Sequence, residues 1–99
     1  MKVIEGKTSN GFKFSIDERI LEDWNLVEAI GLADSEDESE QIRGVNNLVK
    51  LVLGDQVDAL KKHIADKNDG FVPSSEMTST IVEIIKTSRK LKNSLSSEG

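Results

Sequence analysis

The side chains best suited to bind an ion or to transfer a proton are the carboxylates of two acidic segments and a single histidine. In the first segment, Asp34, Glu36 and Glu38 alternate with other residues, as carboxylates do in a calcium-binding loop. Such a loop needs a glycine where Ser39 stands and a bidentate glutamate where Val45 stands. We therefore predict a solvated run of charge here rather than a metal site.

The second acidic segment, residues 66–70, fails the same test because Phe71 and Met77 occupy those two positions. His63 is the only histidine, and the chain has no cysteine to pair with it. It falls one residue off the apolar stripe of its helix, which predicts a histidine at the surface boundary rather than a general base. The sequence also lacks glycine-rich phosphate-binding motifs. We expect neither an enzyme nor a cofactor.

Opposite charges are concentrated in two parts of the chain, whose net charge is −5. Residues 17–40 hold ten acids and one base, whereas residues 86–92 hold four bases and no acid. The overall negative charge argues against general nucleic-acid binding. Apolar runs are too short for a membrane span, and the first residues lack the apolar part of a signal peptide. These features predict a cytoplasmic protein.

Residues 2–16 have the pattern of a β-hairpin, with Asn10-Gly11 as the turn signal. A three-residue loop would pair Ile4 with Ile16 and place the apolar side chains of both strands on one face. Gly11 would then adopt the left-handed conformation of a bulge. Because a two-stranded hairpin is marginal alone, we expect this face to lie on the helices.

The rest of the chain predicts a helical body over residues 17–95 and a frayed tail at 96–99, in one domain spanning residues 1–99. The fold class is α+β, mostly α, with the hairpin packed on a bundle of about four helices. The predicted helix caps are Ser15 or Asp17 for the first helix, Ser35 for the second and Asp55 for the third. The last helix is predicted to start at Ser74 or Ser75.

The second predicted helix is the central one. From Ile42 to Leu53 it is apolar over well over half of its surface, so we expect other elements to cover it from several sides. Gly44 within it costs about 1 kcal/mol relative to alanine. Either the close approach of another element or a later helix start would explain this glycine. In the first helix, Trp24 is expected as a core anchor, and a partner contact is the alternative.

The last predicted helix carries the candidate binding surface. We expect Ile81, Ile84 and Ile85 to pack within the domain, and its final turns to project beyond it. The candidate partner-binding residues are Lys86, Arg89, Lys90, Leu91, Lys92 and Leu95. Complementing the helix dipole would alone explain the bases. Otherwise they would meet an acidic self-association surface on another copy, in a head-to-tail contact. That surface consists of Asp34, Glu36, Asp37, Glu38 and Glu40.

Four stretches, which cover most of residues 3–86, resemble the tail assembly chaperones of long-tailed bacteriophages and prophages of Gram-positive bacteria. In this family a hairpin strand enters an acidic helix, a central helix ends at a glycine junction, and a turn with proline opens the last helix. The matching stretches are Gly11–Asp17, Leu21–Glu28, Val49–Asp55, and Asp69–Pro73 followed by Met77 and Ile81–Ile85.

The resemblance implies a non-enzymatic protein of the host cytoplasm that is absent from the finished virion. It would bind the tape-measure protein, keep it soluble and recruit tail-tube subunits, and it would tend to form homo-oligomers. A small bacterial regulatory or adaptor domain that binds another protein is the alternative. A weaker one is a nucleic-acid-binding domain that uses Lys86–Lys92, against which the net charge speaks.

Overall fold

The chain begins with an antiparallel β-hairpin of two strands, β1 (Val3–Lys7) and β2 (Lys13–Asp17). Ile4 lies opposite Ile16, which is the predicted register. Gly11 has a φ of +89°, in the left-handed region that the three-residue loop requires. Both predictions for the hairpin are therefore confirmed. Its inner face contributes four buried side chains to the core: Ile4, Phe12, Phe14 and Ile16.

Gln56 closes the free edge of β2. The backbone N–H of Ser15 donates to Gln56 Oε1 at 2.9 Å, and Gln56 Nε2 donates to the Ser15 carbonyl at 2.7 Å. The same amide nitrogen donates to the Leu53 carbonyl at 3.2 Å. This side chain therefore replaces a neighbouring strand at one position and ties the hairpin to the helices.

The predicted first helix is divided into two pieces. Asp17 caps a 3₁₀ turn, Glu18–Glu22, and Asp23 caps helix α1, Trp24–Ala33. Each aspartate accepts a hydrogen bond from the backbone N–H two residues further along, at 2.9 Å and 2.8 Å respectively. The prediction of one helix starting at Ser15 or Asp17 is therefore wrong, because Ser15 lies in β2 and a second cap interrupts the run.

Helix α2 spans Glu38–Leu53 and is capped by Asp37. The Asp37 carboxylate accepts hydrogen bonds from the backbone N–H groups of Ser39, at 2.9 Å, and Glu40, at 3.3 Å. Ser35 was predicted as this cap, but its hydroxyl instead accepts from the backbone N–H of Asp37 at 3.1 Å. A carboxylate that reaches two helical N–H groups therefore takes the capping position.

Gly44 is the point where α2 meets α1. A Cβ atom at this position would lie 2.2 Å from the backbone nitrogen of Ala33 and 2.6 Å from the carbonyl carbon of Leu32. The close approach of another element thus accounts for the glycine, and a later helix start does not, because α2 begins six residues earlier.

Several elements pack on α2, but they do not cover it all round. Its buried residues are Gly44, Leu48, Val52 and Leu53, whereas Ile42 is 56% exposed. Ile42, near the start of the helix, therefore departs from the prediction of a covered helix. Helix α1, strand β2 and both of the later helices contact α2, and no described element covers Ile42.

Helix α3 spans Val57–Lys67 and follows a 3₁₀ turn, Gly54–Gln56. Gly54 ends α2 with a φ of +54°, as predicted from the glycine junction. Asp55 does not cap α3, contrary to prediction, because the cap position is Gln56 and carries no side-chain capping bond. The 3₁₀ turn moves the start of the helix beyond the reach of Asp55.

Helix α4 spans Ser74–Ser97, starting at one of the two predicted residues. The computed structural model describes residues 2–97, with side chains described as far as residue 93. The helix runs to residue 97, the predicted frayed tail at 96–99 stays a prediction, and residues 98 and 99 lie outside the described range. Leu91 packs on the core, so α4 is held to the domain at least that far.

One apolar cluster draws on both strands and all four helices. Its fully buried members include Leu26 of α1, Leu60 and Ile64 of α3, and Ile81 and Ile84 of α4. Trp24, the expected core anchor, is 69% exposed. The prediction is wrong because the cap at Asp23 starts α1 with Leu26 and Ala29 facing the core, which turns Trp24 outward.

Candidate functional site

A groove lies between α4 and the pair formed by α1 and α2, and we call it the α2–α4 groove. It consists of two hollows of about 590 and 460 Å³ that share Ala33, Val45 and Thr78. Ile42 and Ser74 line the first hollow, and Ile30, Val82 and Arg89 are among the residues that line the second. From Ser74 to Arg89 the α4 wall rises by about 22 Å, the length of four helical turns.

The exposed surface of the groove is mostly apolar, with serine, threonine and amide side chains along the first hollow, and one end is basic. Ile42 is 56% exposed and Val82 is 38% exposed, so both offer apolar surface to a partner. Lys86 and Arg89 line the second hollow, with Asp34 as the acid that shares it. Among the residues that the structure describes, neither base forms an ion pair. An amphipathic helix with apolar and acidic side chains suits such a surface.

The other predicted partner-binding residues are divided between surface and body. Lys90 is exposed. Leu91 is half-buried against the core, so it offers little surface to a partner. Lys92 Nζ lies 2.6 Å from Glu22 Oε1 and holds α4 to the 3₁₀ turn before α1. The final turns of α4 were expected to project beyond the domain, but Leu91 and Lys92 are both held against it. The side chain of Leu95 lies outside the described side chains.

The predicted acidic surface lies around the connection between α1 and α2. Asp34 borders the α2–α4 groove, Glu36 and Glu38 are exposed, and Glu40 is half-buried. Asp37 is occupied by capping, since its Oδ1 atom also accepts from the Ser39 hydroxyl at 2.7 Å. Hydrogen bonds from the Ser39 side chain and from the backbone of Glu40 and Ser39 lower the pKa of Asp37.

His63 anchors the hairpin loop. Its Nε2 atom is 2.8 Å from the carbonyl oxygen of Asn10, which can only accept, so Nε2 carries the hydrogen. Lys67 Nζ donates to the same carbonyl at 2.5 Å, and the ring centroid of Phe12 is 5.8 Å from that of His63. The predicted boundary position of His63 agrees with this half-buried environment.

Helix α4 holds the same loop from the other side. The Glu83 carboxylate accepts from the backbone N–H of Ser9 at 2.6 Å and from its hydroxyl at 2.8 Å. Asn10 Nδ2 donates to Glu76 at 3.3 Å and to Thr80 Oγ1 at 3.2 Å. The polar side chains of this region are therefore engaged in fixing the hairpin.

Within residues 2–97, no group of three or more histidine and carboxylate side chains has an arrangement that could hold a metal ion. The helices of this part of the chain include none with the length and hydropathy to cross a bilayer. No family model, curated protein or solved structure matches this chain.

Lys86 and Arg89 were predicted from the sequence as partner-binding residues and both line the groove, whereas its apolar part was not predicted. Ile42 was assigned to a covered helix, and Val82 was not singled out. A signal was present in α4, where Ser74, Thr78, Val82 and Lys86 recur every four residues and so share one face. Along that face, the hydroxyl side chains of serine and threonine are followed by an apolar valine and then by a lysine.

Proposed function

We propose that this protein is a non-enzymatic tail assembly chaperone that binds a helical segment of a phage tape-measure protein in the α2–α4 groove. The resemblance of residues 3–86 to that family motivates the proposal, and the exposed apolar groove with a basic end is the observation that carries it. Recruitment of tail-tube subunits, action in the host cytoplasm and absence from the virion belong to the same proposal.

A long helical protein without its final assembly exposes apolar side chains at helical spacing, and such surfaces aggregate. A groove that accepts one helical stripe covers those side chains until the tube replaces it. Because the α4 wall spans about four turns, each copy would cover about 15 residues of the partner. Several copies would be needed along a long partner.

Co-expression tests the proposal. The full chain would be produced together with a fragment of a tape-measure protein encoded beside it, and the soluble share of the fragment would be measured. We expect the chain to keep the fragment in solution and to co-elute with it. If the fragment aggregates equally with and without the chain, the proposal is wrong.

Matched substitutions localise the contact. Ile42→Glu combined with Val82→Glu places two carboxylates in the groove, whereas Val3→Glu changes a side chain that is 51% exposed on the hairpin. We expect the groove variant to lose solubilisation and the hairpin variant to keep it. Circular dichroism of each variant alone would verify that both are folded.

The alternative, a small adaptor domain that binds another bacterial protein, uses the same groove. It predicts that the groove variant loses binding to a partner unrelated to phage tails. A gene for this chain between tail-tube and tape-measure genes would favour the chaperone, and its placement elsewhere in a bacterial operon would favour the adaptor.

A further inference from the structure

Helix α1 exposes a stripe that the fold leaves uncovered. Trp24, Val27, Glu28 and Gly31 are all exposed and lie on the side of the helix opposite its buried residues, Leu26 and Ala29. We call these four residues the α1 outer face. It shares no residue with the α2–α4 groove.

The apolar content of this face is unusual for a solvated helix. Trp24 is 69% exposed and Val27 is 47% exposed, three residues apart on one side of α1. Tryptophan is the residue most enriched among the contacts that dominate protein interfaces. Because Trp24 contributes little to the core, its large apolar ring has no evident role within the domain.

Gly31 is equally unexplained by the fold. A Cβ atom built there meets nothing within 4 Å, and its backbone does not have the positive φ found at Gly11 and Gly54. Glycine inside a helix costs about 1 kcal/mol relative to alanine. At Gly44 the same cost lets α1 approach α2. At Gly31 no part of the domain makes such an approach, so the position leaves room for a backbone from outside the domain.

The charge around the face selects the partner. Glu22 is paired with Lys92, whereas Asp23 and Glu28 form no ion pair within the described residues. Helix α1 itself contains no base. On the neighbouring helix, Lys50 borders the shallow hollow beside Glu28. Two acids, Asp23 and Glu28, thus stand against one base, so the net charge beside the face is negative, and a partner arginine could also stack on the indole ring.

We propose that the α1 outer face docks a basic amphipathic helix of another protein. The backbone of that helix crosses at Gly31, its apolar stripe covers Trp24 and Val27, and an arginine or lysine meets Glu28. This interaction is independent of the α2–α4 groove, so its failure would leave the proposed function standing.

Trp24 is the only tryptophan, so its fluorescence reports directly on this face. Two synthetic peptides of about 18 residues, long enough to be helical alone, would carry the same leucine stripe flanked by either arginine or glutamate. We expect the arginine peptide to change Trp24 emission in a saturable manner at low salt, and the glutamate peptide to leave it unchanged. Equal binding of both peptides, or no response to either, would overturn the proposal.

Two pairs of variants separate docking from general attraction to an acidic protein. Gly31→Leu fills the crossing point, and Ala59→Leu adds the same bulk at an exposed position of α3. Glu28→Lys and Asp58→Lys change the net charge equally, at the face and on α3. We expect the first variant of each pair to bind the arginine peptide at least about tenfold more weakly than the wild type. The second variant of each pair should retain most of the wild-type affinity. Wild-type affinity in Gly31→Leu would refute the docking geometry.

Discussion

The backbone nitrogen of Ala33 lies 2.2 Å from the position that a Cβ atom of Gly44 would occupy. Since the obstructing atoms belong to the backbone of α1, no rotamer change can relieve the contact. We expect Gly44→Ala to lower the free energy of unfolding by about 3 kcal/mol, although alanine favours the helix by about 1 kcal/mol. Urea denaturation would measure the change.

Gly31→Ala is the matched control for Gly44→Ala, and we expect it to change stability in the opposite direction. The position is helical and open, so only the propensity gain remains, and we expect stability to rise by about 1 kcal/mol. Thermal unfolding of both glycine variants in the same buffer would show shifts of opposite sign. A stabilised Gly44→Ala would mean that α1 and α2 do not cross as described.

Ser88 provides a second test of the core. Its side chain is fully buried, and its hydroxyl has no hydrogen-bond partner among the described residues. Removing this hydroxyl relieves an unsatisfied polar group, so we expect Ser88→Ala to stabilise the protein by about 1 kcal/mol. Thr80→Val is the control, because it removes a bonded hydroxyl that accepts from Asn10, and should cost about 1 kcal/mol.

The hairpin loop should loosen when Glu83 is shortened. Its carboxylate accepts two hydrogen bonds from Ser9, so Glu83→Ala leaves the backbone N–H of Ser9 open to solvent. We expect amide hydrogen exchange at Ser9 to accelerate strongly while the core amides of α3 remain protected. Glu28→Ala, on the exposed side of α1, should leave Ser9 unchanged.

The ion pair between Lys92 and Glu22 makes stability depend on pH in a defined direction. The hydrogen bond and the charge of Lys92 lower the pKa of Glu22 in the folded protein. A group with a lowered folded pKa stabilises the protein above its unfolded pKa, and this stabilisation is lost as the pH falls through the folded value. Lys92→Met should therefore raise the pKa of Glu22 in an NMR titration and remove its share of the acid sensitivity.

The control for this pair is a double-mutant cycle. Once Glu22→Gln has removed the carboxylate, Lys92→Met should no longer alter the pH dependence. The effect of each single substitution on the pH dependence of stability should be smaller at high salt, because Glu22 is largely exposed. A pKa of Glu22 that is identical with and without Lys92 would contradict the contact.

The sequence predicted the hairpin well and the first helix poorly, for different physical reasons. In the hairpin, a shift of one residue would move Ile4 and Ile16 to opposite faces, so the alternation determines the register. At the start of the first helix, Asp17 and Asp23 are both good caps, and local propensity does not rank them. The structure uses both, with a 3₁₀ turn between them.

The candidate site shows the same limit. Lys86 and Arg89 stood out because they form a cluster of like charge, which a sequence displays directly. The exposure of Ile42 and Trp24 depends on which neighbouring elements cover each helix, and a single sequence does not specify how the elements pack. Apolar residues were therefore assigned to the core by default, and the groove and the α1 outer face emerged only from the packing.

Gln56 has a consequence for how copies of this protein can associate. A lone hairpin presents backbone donors and acceptors along its outer strand, which invite another chain to extend the sheet. The Gln56 amide satisfies both groups of Ser15 and leaves that position without a template. Another chain that paired with β2 would have to displace the Gln56 amide at Ser15, so extension of the sheet along this strand is disfavoured at that position.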